Sequence, residues 1–266
     1  MCFVSISFAL TRTRTDMRRL VVTLVVTLAL AVAGRAAAAQ GTFPPQKLEN
    51  LKVLPKDIPV RALLDTMGTF TRALGVRCSY CHEGEEGQPL SAYNFKSDKK
   101  PEKEKARTML RMVAAIDGDY LPKLATRREP PVVVACVTCH RGVAVPRTLQ
   151  QTLIAAYDSA GADSAEALYK ALRQRYYGRA AYDFGEVPLA DVGAILRQRG
   201  KTADALRFYV LNTLMSPQSS FAFVQAAQAQ LAAGDTASAR ASLDKASAIA
   251  PNDPQVRRMM GAIKKP

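Results

Sequence analysis

Two pentapeptides, Cys78-Ser79-Tyr80-Cys81-His82 and Cys136-Val137-Thr138-Cys139-His140, carry the reactive side chains of this 266-residue chain. Four of its five cysteines and both of its histidines lie in them. Two thiols three positions apart share one turn and can reach the two vinyl groups of a porphyrin, and the imidazole of the next residue then comes under the iron. Each pentapeptide is thus a complete half-site for covalent haem c, and the sequence predicts two haems, on Cys78 and Cys81 with His82, and on Cys136 and Cys139 with His140. A zinc ribbon also pairs Cys-x-x-Cys motifs, but usually about 15–20 residues apart, whereas 54 residues separate Cys81 from Cys136. Neither zinc nor a redox disulfide needs a histidine after each pair.

With no third histidine, bis-histidine iron is excluded within the chain, which leaves methionine, an unusual ligand such as lysine, or an open position. Met1 and Met17 fall in an N-terminal leader, and Met215, Met259 and Met260 in a C-terminal region of different composition. Met67 lies on a predicted helix that Asp57 can cap, that carries the apolar stripe Val60, Leu63, Leu64, Met67, Phe70 and Leu74, and that Gly75 can end. Its thioether stands 11 residues before Cys78 and reads either as a ligand to the first haem or as a space-filling core residue. A second predicted helix starts near Pro101 and runs through Met109, Leu110, Met112, Val113 and Ile116. Met109 and Met112 share a face there, but one iron takes one sulfur. Met112, nearer in sequence to Cys136, is the expected ligand of the second haem and Met109 the alternative.

The elements that must place these groups are helical. Absent Trp and only 7% aromatic residues suit small helical modules better than a sandwich or barrel, and 48% hydrophobic residues suffice for a core. The net charge of +14 points to an anionic partner or surface, and a redox protein serves that better here than nucleic acid. Met17, Arg18 and Arg19, an apolar run from Leu20 to Ala33, and Ala36 to Ala39 before Gln40 have the three parts of a secretory signal. Cleavage after Ala39 leaves +10 and places the protein in the periplasm; an uncleaved helix at the inner membrane is the alternative. Residues 1–16 then read as an upstream extension, with Met17 as the start. Lys96 to Lys105 is a charge run with five lysines, either a solvated surface or a docking face for acidic redox partners.

Residues from about Asn50 to Pro146 resemble the photosynthetic reaction centre cytochrome c subunit family: Asn50-Leu51-Lys52-Val53-Leu54-Pro55, the Met67 helix, both Cys-x-x-Cys-His motifs and the Met109/Met112 helix between them carry the likeness. That family repeats a unit of ligand helix, turn and attachment motif, and passes electrons along a haem row to an oxidised partner. The resemblance implies Cys78 and Cys81 as the first haem's anchors, with His82 and Met67 as its ligands. It implies Cys136, Cys139 and His140 for the second. Photosynthetic members have four haems, often a lipid-bearing N-terminal cysteine, and one haem that takes a histidine from elsewhere; this chain repeats the unit twice.

After Pro146 the composition shifts to Ala, Gln, Leu and Arg. Gly200-Lys201-Thr202-Ala203-Asp204-Ala205 and Gly234-Asp235-Thr236-Ala237-Ser238-Ala239 are offset by 34 residues, as are Pro217 and Pro251, which is the tetratricopeptide period. The expected fold is all-α: extension and signal over 1–39, a dihaem cytochrome c domain over 40–147, connecting helices over 148–185, and tetratricopeptide-like repeats over 186–266. The repeats would bind a peptide, or pack on the haem domain or a second copy. The function expected is single-electron transfer between membrane or periplasmic redox partners, including a reaction centre or respiratory complex. The alternatives are a dihaem peroxidase with one open iron, for which Glu83, Glu85 or Glu86 would replace the missing distal histidine, and a repeat scaffold of such a complex.

Overall fold

A computed structural model describes residues 42–126 and 129–263; the leader predicted over 1–39 lies outside the described residues. Among these residues the chain forms nine α-helices and no strand, only an isolated bridge between Glu83 and Asn94, so the all-α expectation holds. It divides into two compact units. The first holds the described residues up to Arg72 together with Val76–Ala135, and the second holds Ala73–Gly75 and the described residues from Cys136 onward. The second Cys-x-x-Cys-His motif thus goes with the helical C-terminal part, ahead of the composition shift after Pro146.

In the first unit, α1 (Val60–Leu74) starts where Leu63 N–H donates to Pro59 O at 3.0 Å. Asp57, expected as its cap, lies two residues upstream of that carbonyl; Pro59 has no N–H to leave unpaired, so the helix begins there instead. The second helix, α2 (Pro101–Ala115), has Pro101 in its first turn as expected, and Glu102 and Glu104 there complement the positive end of the helix dipole. A π turn over Ile116–Tyr120 follows it. Among the described residues of this unit no apolar side chain is buried, and Arg107, 6% exposed, is the one buried side chain; Ala73, the buried residue of α1, belongs to the second unit.

The second unit starts with the five-residue helix α3 (Cys136–His140) and the long helix α4 (Leu149–Tyr176). Thr148 opens α4 with a capping box: its hydroxyl accepts from Gln151 N–H at 3.1 Å, and its own N–H donates to Gln151 Oε1 at 3.0 Å. Non-helical backbone at Ala160 and Gly161 breaks α4 into two lengths. Then follow α5 (Glu186–Gln198), α6 (Thr202–Met215), α7 (Ser220–Ala232), α8 (Thr236–Ile249) and α9 (Pro254–Ala262).

The 34-residue period recurs bond for bond. At the α5–α6 turn Lys201 N–H donates to Leu196 O at 2.9 Å, and at the α7–α8 turn Asp235 N–H donates to Gln230 O at 2.9 Å. Gly200 and Gly234 supply the left-handed residue that this helix ending needs. At the exits, Ser216 N–H to Asn212 O and Ala250 N–H to Ala246 O are both 2.8 Å. The caps match too, Ser219 accepting from Ala222 N–H and Asp253 from Val256 N–H. The tetratricopeptide reading is therefore correct, with α5–α6 and α7–α8 as two pairs and α9 in the first-helix position of a third.

Leu149, Leu153, Tyr169, Leu189, Leu196 and Phe208 fill a shared core under α4, α5 and α6, and smaller clusters centre on Leu243 and Val256. A Cβ on Gly193 would lie 2.7 Å from the Tyr209 ring, so glycine is what lets α5 approach α6. Polar links tie α4 to the first pair: Tyr157 OH donates to Asp204 at 2.6 Å, Arg199 meets Asp158 at 2.6 Å, and Arg207 reaches Asp163 at 2.6 Å and Glu166 at 2.9 Å.

Candidate haem attachment sites

The first pentapeptide folds as a single tight turn. Tyr80 N–H donates to Arg77 O at 3.0 Å, and Cys81 and His82 N–H both donate to Cys78 O, at 3.3 and 3.0 Å. Cys78, Cys81 and His82, at positions i, i+3 and i+4, share one side of this turn. The second pentapeptide is α3 itself, which brings Cys136, Cys139 and His140 together in the same way. Arg141 and Gly142, at φ of 50° and 92°, then reverse the chain, and Gly142 N–H donates to Ala73 O at 2.8 Å. Gly75, at φ of 66°, lies under that reversal: a Cβ on it would stand 2.1 Å from Gly142 O. The glycine expected to end the Met67 helix does so and also seats the segment after His140.

The two imidazoles are held differently. His140 Nδ1 is 3.0 Å from Val143 O, and as that carbonyl can only accept, Nδ1 donates the proton between them. His82 Nδ1 is buried with no hydrogen-bond partner. Its ring meets the edge of Phe95 at 5.0 Å between centroids, and Phe95 in turn stacks on Tyr93 and tilts against Phe43, both at 5.7 Å. Burial, then the charges of Lys103, Arg107 and Lys100, push the His82 pKa down to about 4, so the ring stays neutral, the form that ligates iron. Burial also raises the pKa of the Cys81 thiol, with the charge of Glu102 adding to it.

Sequence reasoning missed the polar frame of this site. Asp98 binds Lys52 at 2.7 Å, Arg107 at 2.9 Å and Lys103 at 3.3 Å, and it accepts from Asn50 Nδ2 at 2.8 Å. These hydrogen bonds, that of Arg107 foremost, hold its carboxyl far below the usual carboxylate range. Arg107 also pairs with Glu104 at 2.8 Å. Lys103 donates to Phe95 O at 2.7 Å and Ser97 O at 2.8 Å, and Lys100 donates to Ser79 O inside the first pentapeptide. The lysine run therefore contributes internal braces, Lys103 being 12% exposed, as well as surface. Of the candidate acids, Glu83 is paired with Lys99 at 2.9 Å, while Glu85 and Glu86 lie exposed in the loop that follows.

Met67 is half-buried on α1, and Met109 and Met112 lie three apart on α2 with 38% and 44% of their surface exposed, so both sulfurs are free of a protein core. All three belong to the first unit with Cys78, Cys81 and His82, whereas Cys136, Cys139 and His140 belong to the second.

These residues fit haem. Each turn offers two thiols and one imidazole, and the half-exposed apolar stripe of α1 provides surface that a porphyrin would cover. Among the described residues, no three or more His, Cys, Asp or Glu side chains gather as a site for a bare metal ion. A porphyrin iron asks for less, one imidazole and one opposing ligand.

Cytochrome c-554 of Chloroflexus aurantiacus is 38% identical over 68 residues, 26% of this chain, and the match spans only 14% of that relative's length. Among solved structures, the type III secretion translocator chaperone SycD of Yersinia enterocolitica covers 43% of this chain and 87% of its own at 22% identity and a TM-score of 0.29. PcrH from Pseudomonas aeruginosa covers 43% and 88% at 23% identity and a TM-score of 0.30. At scores this low the repeat assignment rests on the recurring hydrogen bonds described above. The family model of the photosynthetic reaction centre cytochrome C subunit matches residues 14–178, more than half of the chain, through both pentapeptides and the whole of α4. The chain belongs to the photosynthetic reaction centre cytochrome c subunit family.

Proposed function

We propose that this protein is an exported electron carrier with two covalently attached haem c groups. The observation that supports it most directly is that both Cys-x-x-Cys-His segments fold into one turn each, with the two thiols and the imidazole on one side. Cys78 and Cys81 would anchor one haem and Cys136 and Cys139 the other, each thiol S–H adding across a vinyl C=C with no oxidant consumed. His82 and His140 would ligate the irons through Nε2. Met67 would close the first iron and Met112 the second, with Met109 as the alternative for the second. Haem supplies one-electron redox chemistry when bound. The protein fixes the imidazole orientation, shields the ring and provides a basic surface that attracts acidic redox partners. A membrane reaction centre or respiratory complex is the partner class that the family suggests, and the helical repeats offer a second surface for protein association.

The test is a haem count and oxidised and reduced spectra of the matured protein beside Met67→Ala, Met109→Ala and Met112→Ala. Two haems, and a sulfur-to-iron charge-transfer band lost in part with Met67 and again with one of the α2 methionines, are expected. One haem, or a wild-type iron that is high-spin and binds cyanide at once, would overturn the closed dihaem carrier in favour of a single-haem protein or a peroxidase.

A further inference from the structure

His82 and His140 hold the same place in their pentapeptides, yet their surroundings act on them in opposite directions. A carbonyl that accepts from Nδ1–H, as Val143 O does from His140, pushes electron density toward Nε2 and makes it a stronger donor. A stronger donor favours the more highly charged, oxidised iron and lowers the reduction potential. Nothing accepts from His82 Nδ1.

Positive charge is fixed around the His82 turn instead. Lys103 grips the carbonyl of Phe95, whose ring packs on the imidazole, and Lys100 grips Ser79 O within the turn. The carboxylates nearby cancel it only in part, because Asp98, Glu102 and Glu104 face Lys52, Lys100, Lys103, Lys105 and Arg107. Asp98 is shared among Lys52, Lys103 and Arg107, Glu104 is taken up by Arg107, and Glu102 pairs with Lys105. Fixed positive charge close to a redox centre favours its reduced state.

We propose that Lys100, Lys103 and Phe95 form a potential-setting frame, which gives the haem on His82 the higher reduction potential of the two. Phe95 is the positioning residue, because its ring meets the imidazole edge-on where His140 has a hydrogen bond. Lys103 and Lys100 supply the charge. The inference rests on the dihaem reading above and assigns an order to it: electrons would collect first at the haem on His82.

The experiment is a spectroelectrochemical titration of the matured holoprotein, with the haem count taken on the same sample. Wild type should show two potentials whose one-electron equilibrium constants differ at least tenfold, about 59 mV. The single-haem variant Cys136→Ala/Cys139→Ala should keep the higher and Cys78→Ala/Cys81→Ala the lower. In the dihaem protein, Lys103→Met should lower only the higher potential and Lys103→Arg should restore it. Phe95→Leu should broaden or shift the low-spin resonance of that haem alone. Two haems with equal potentials, the reverse order, or a Lys103→Met shift in the lower potential would overturn the frame while leaving the dihaem reading intact. Fewer than two haems in wild type would bring down that reading and the order with it.

Discussion

In the helical-repeat unit Leu153, Tyr169, Leu189, Phe208 and Leu243 are sealed from solvent by one another, while in the first unit Val60, Leu63, Leu64, Met67 and Phe70 remain partly exposed and the buried side chain is a guanidinium. Both units are helical. They differ in what closes them. The repeats stack small residues such as Ala205, Ala227 and Ala239 against larger ones, so that each pair covers the next. The first unit has two main helices joined by turns and is braced by charge, Asp98 linking Asn50 and Lys52 to Lys103 and Arg107 across nearly 50 residues of chain. A ring system that covers the α1 stripe would supply the apolar burial its side chains do not supply to each other. Stability in the two units should thus respond to different perturbations.

The largest effect should come from taking away the two thiols proposed as the first haem's anchors. In Cys78→Ala/Cys81→Ala, the amides of α1 and α2 should lose most of their hydrogen-exchange protection, by orders of magnitude, and those of α5 to α8 should keep theirs. Unchanged protection in α1 and α2 would mean that the first unit is self-sufficient, and the contrast would fail. The complementary change is Phe208→Ala, which empties the centre of the repeat core. Truncation there should cost about 3–5 kcal/mol in denaturant unfolding monitored on the helices, while the spectrum of the first haem stays as in wild type. A joint loss of both signals would show one cooperative structure where two are expected.

What was legible in the sequence follows from the range of the interactions involved. The pentapeptides, Pro101 at the start of α2, and Gly200 and Gly234 at the repeat turns all act within a few residues, so their spacing alone carried the signal. Gly75 was legible as a helix end, but its contact with Gly142 was not, because it joins segments 67 residues apart. The lysine run misled for a related reason. Six cationic side chains between Lys96 and Arg107 look alike on paper, and only folding turns Lys103 and Arg107 inward onto Asp98 while Lys96 and Lys105 stay outside. Phe95 gave no sign of its place beside His82, since an aromatic residue 13 positions away in a loop has no period to betray it.

A smaller effect should separate packing from burial in the repeat unit. Gly193→Ala puts a methyl 2.7 Å from the Tyr209 ring and should destabilise by about 1–3 kcal/mol, the range for overpacking a filled core. The double variant Gly193→Ala/Tyr209→Leu should lose less than the sum of its two single changes, because the smaller side chain makes room. Additive losses would show that α5 and α6 yield to the methyl independently of the ring.

The smallest effect at neutral pH, and one confined to the first unit, concerns Asp98. Its carboxyl is held below the usual carboxylate range by hydrogen bonds from Arg107 and Lys52, with Asn50 and Lys103 adding to them. A carboxylate whose folded pKa is depressed stabilises the fold fully above the unfolded value, about 3.9, and loses that contribution as pH falls below it toward the folded pKa. Exchange protection in α2 should therefore be flat from neutral pH to about 5 and should decline below about 4, as protons begin to compete with Arg107 for Asp98. The repeat unit has a depressed carboxylate too, Asp235 at the start of α8, but its hydrogen bonds come from Ser238 alone and it braces one helix end. Protection factors for α2 and for α5 to α8, followed between pH 6 and pH 3, should part company on the acid side, with α2 falling first. Parallel decline in both would mean that the charge brace carries no more of the first unit's stability than a single helix cap carries in the second.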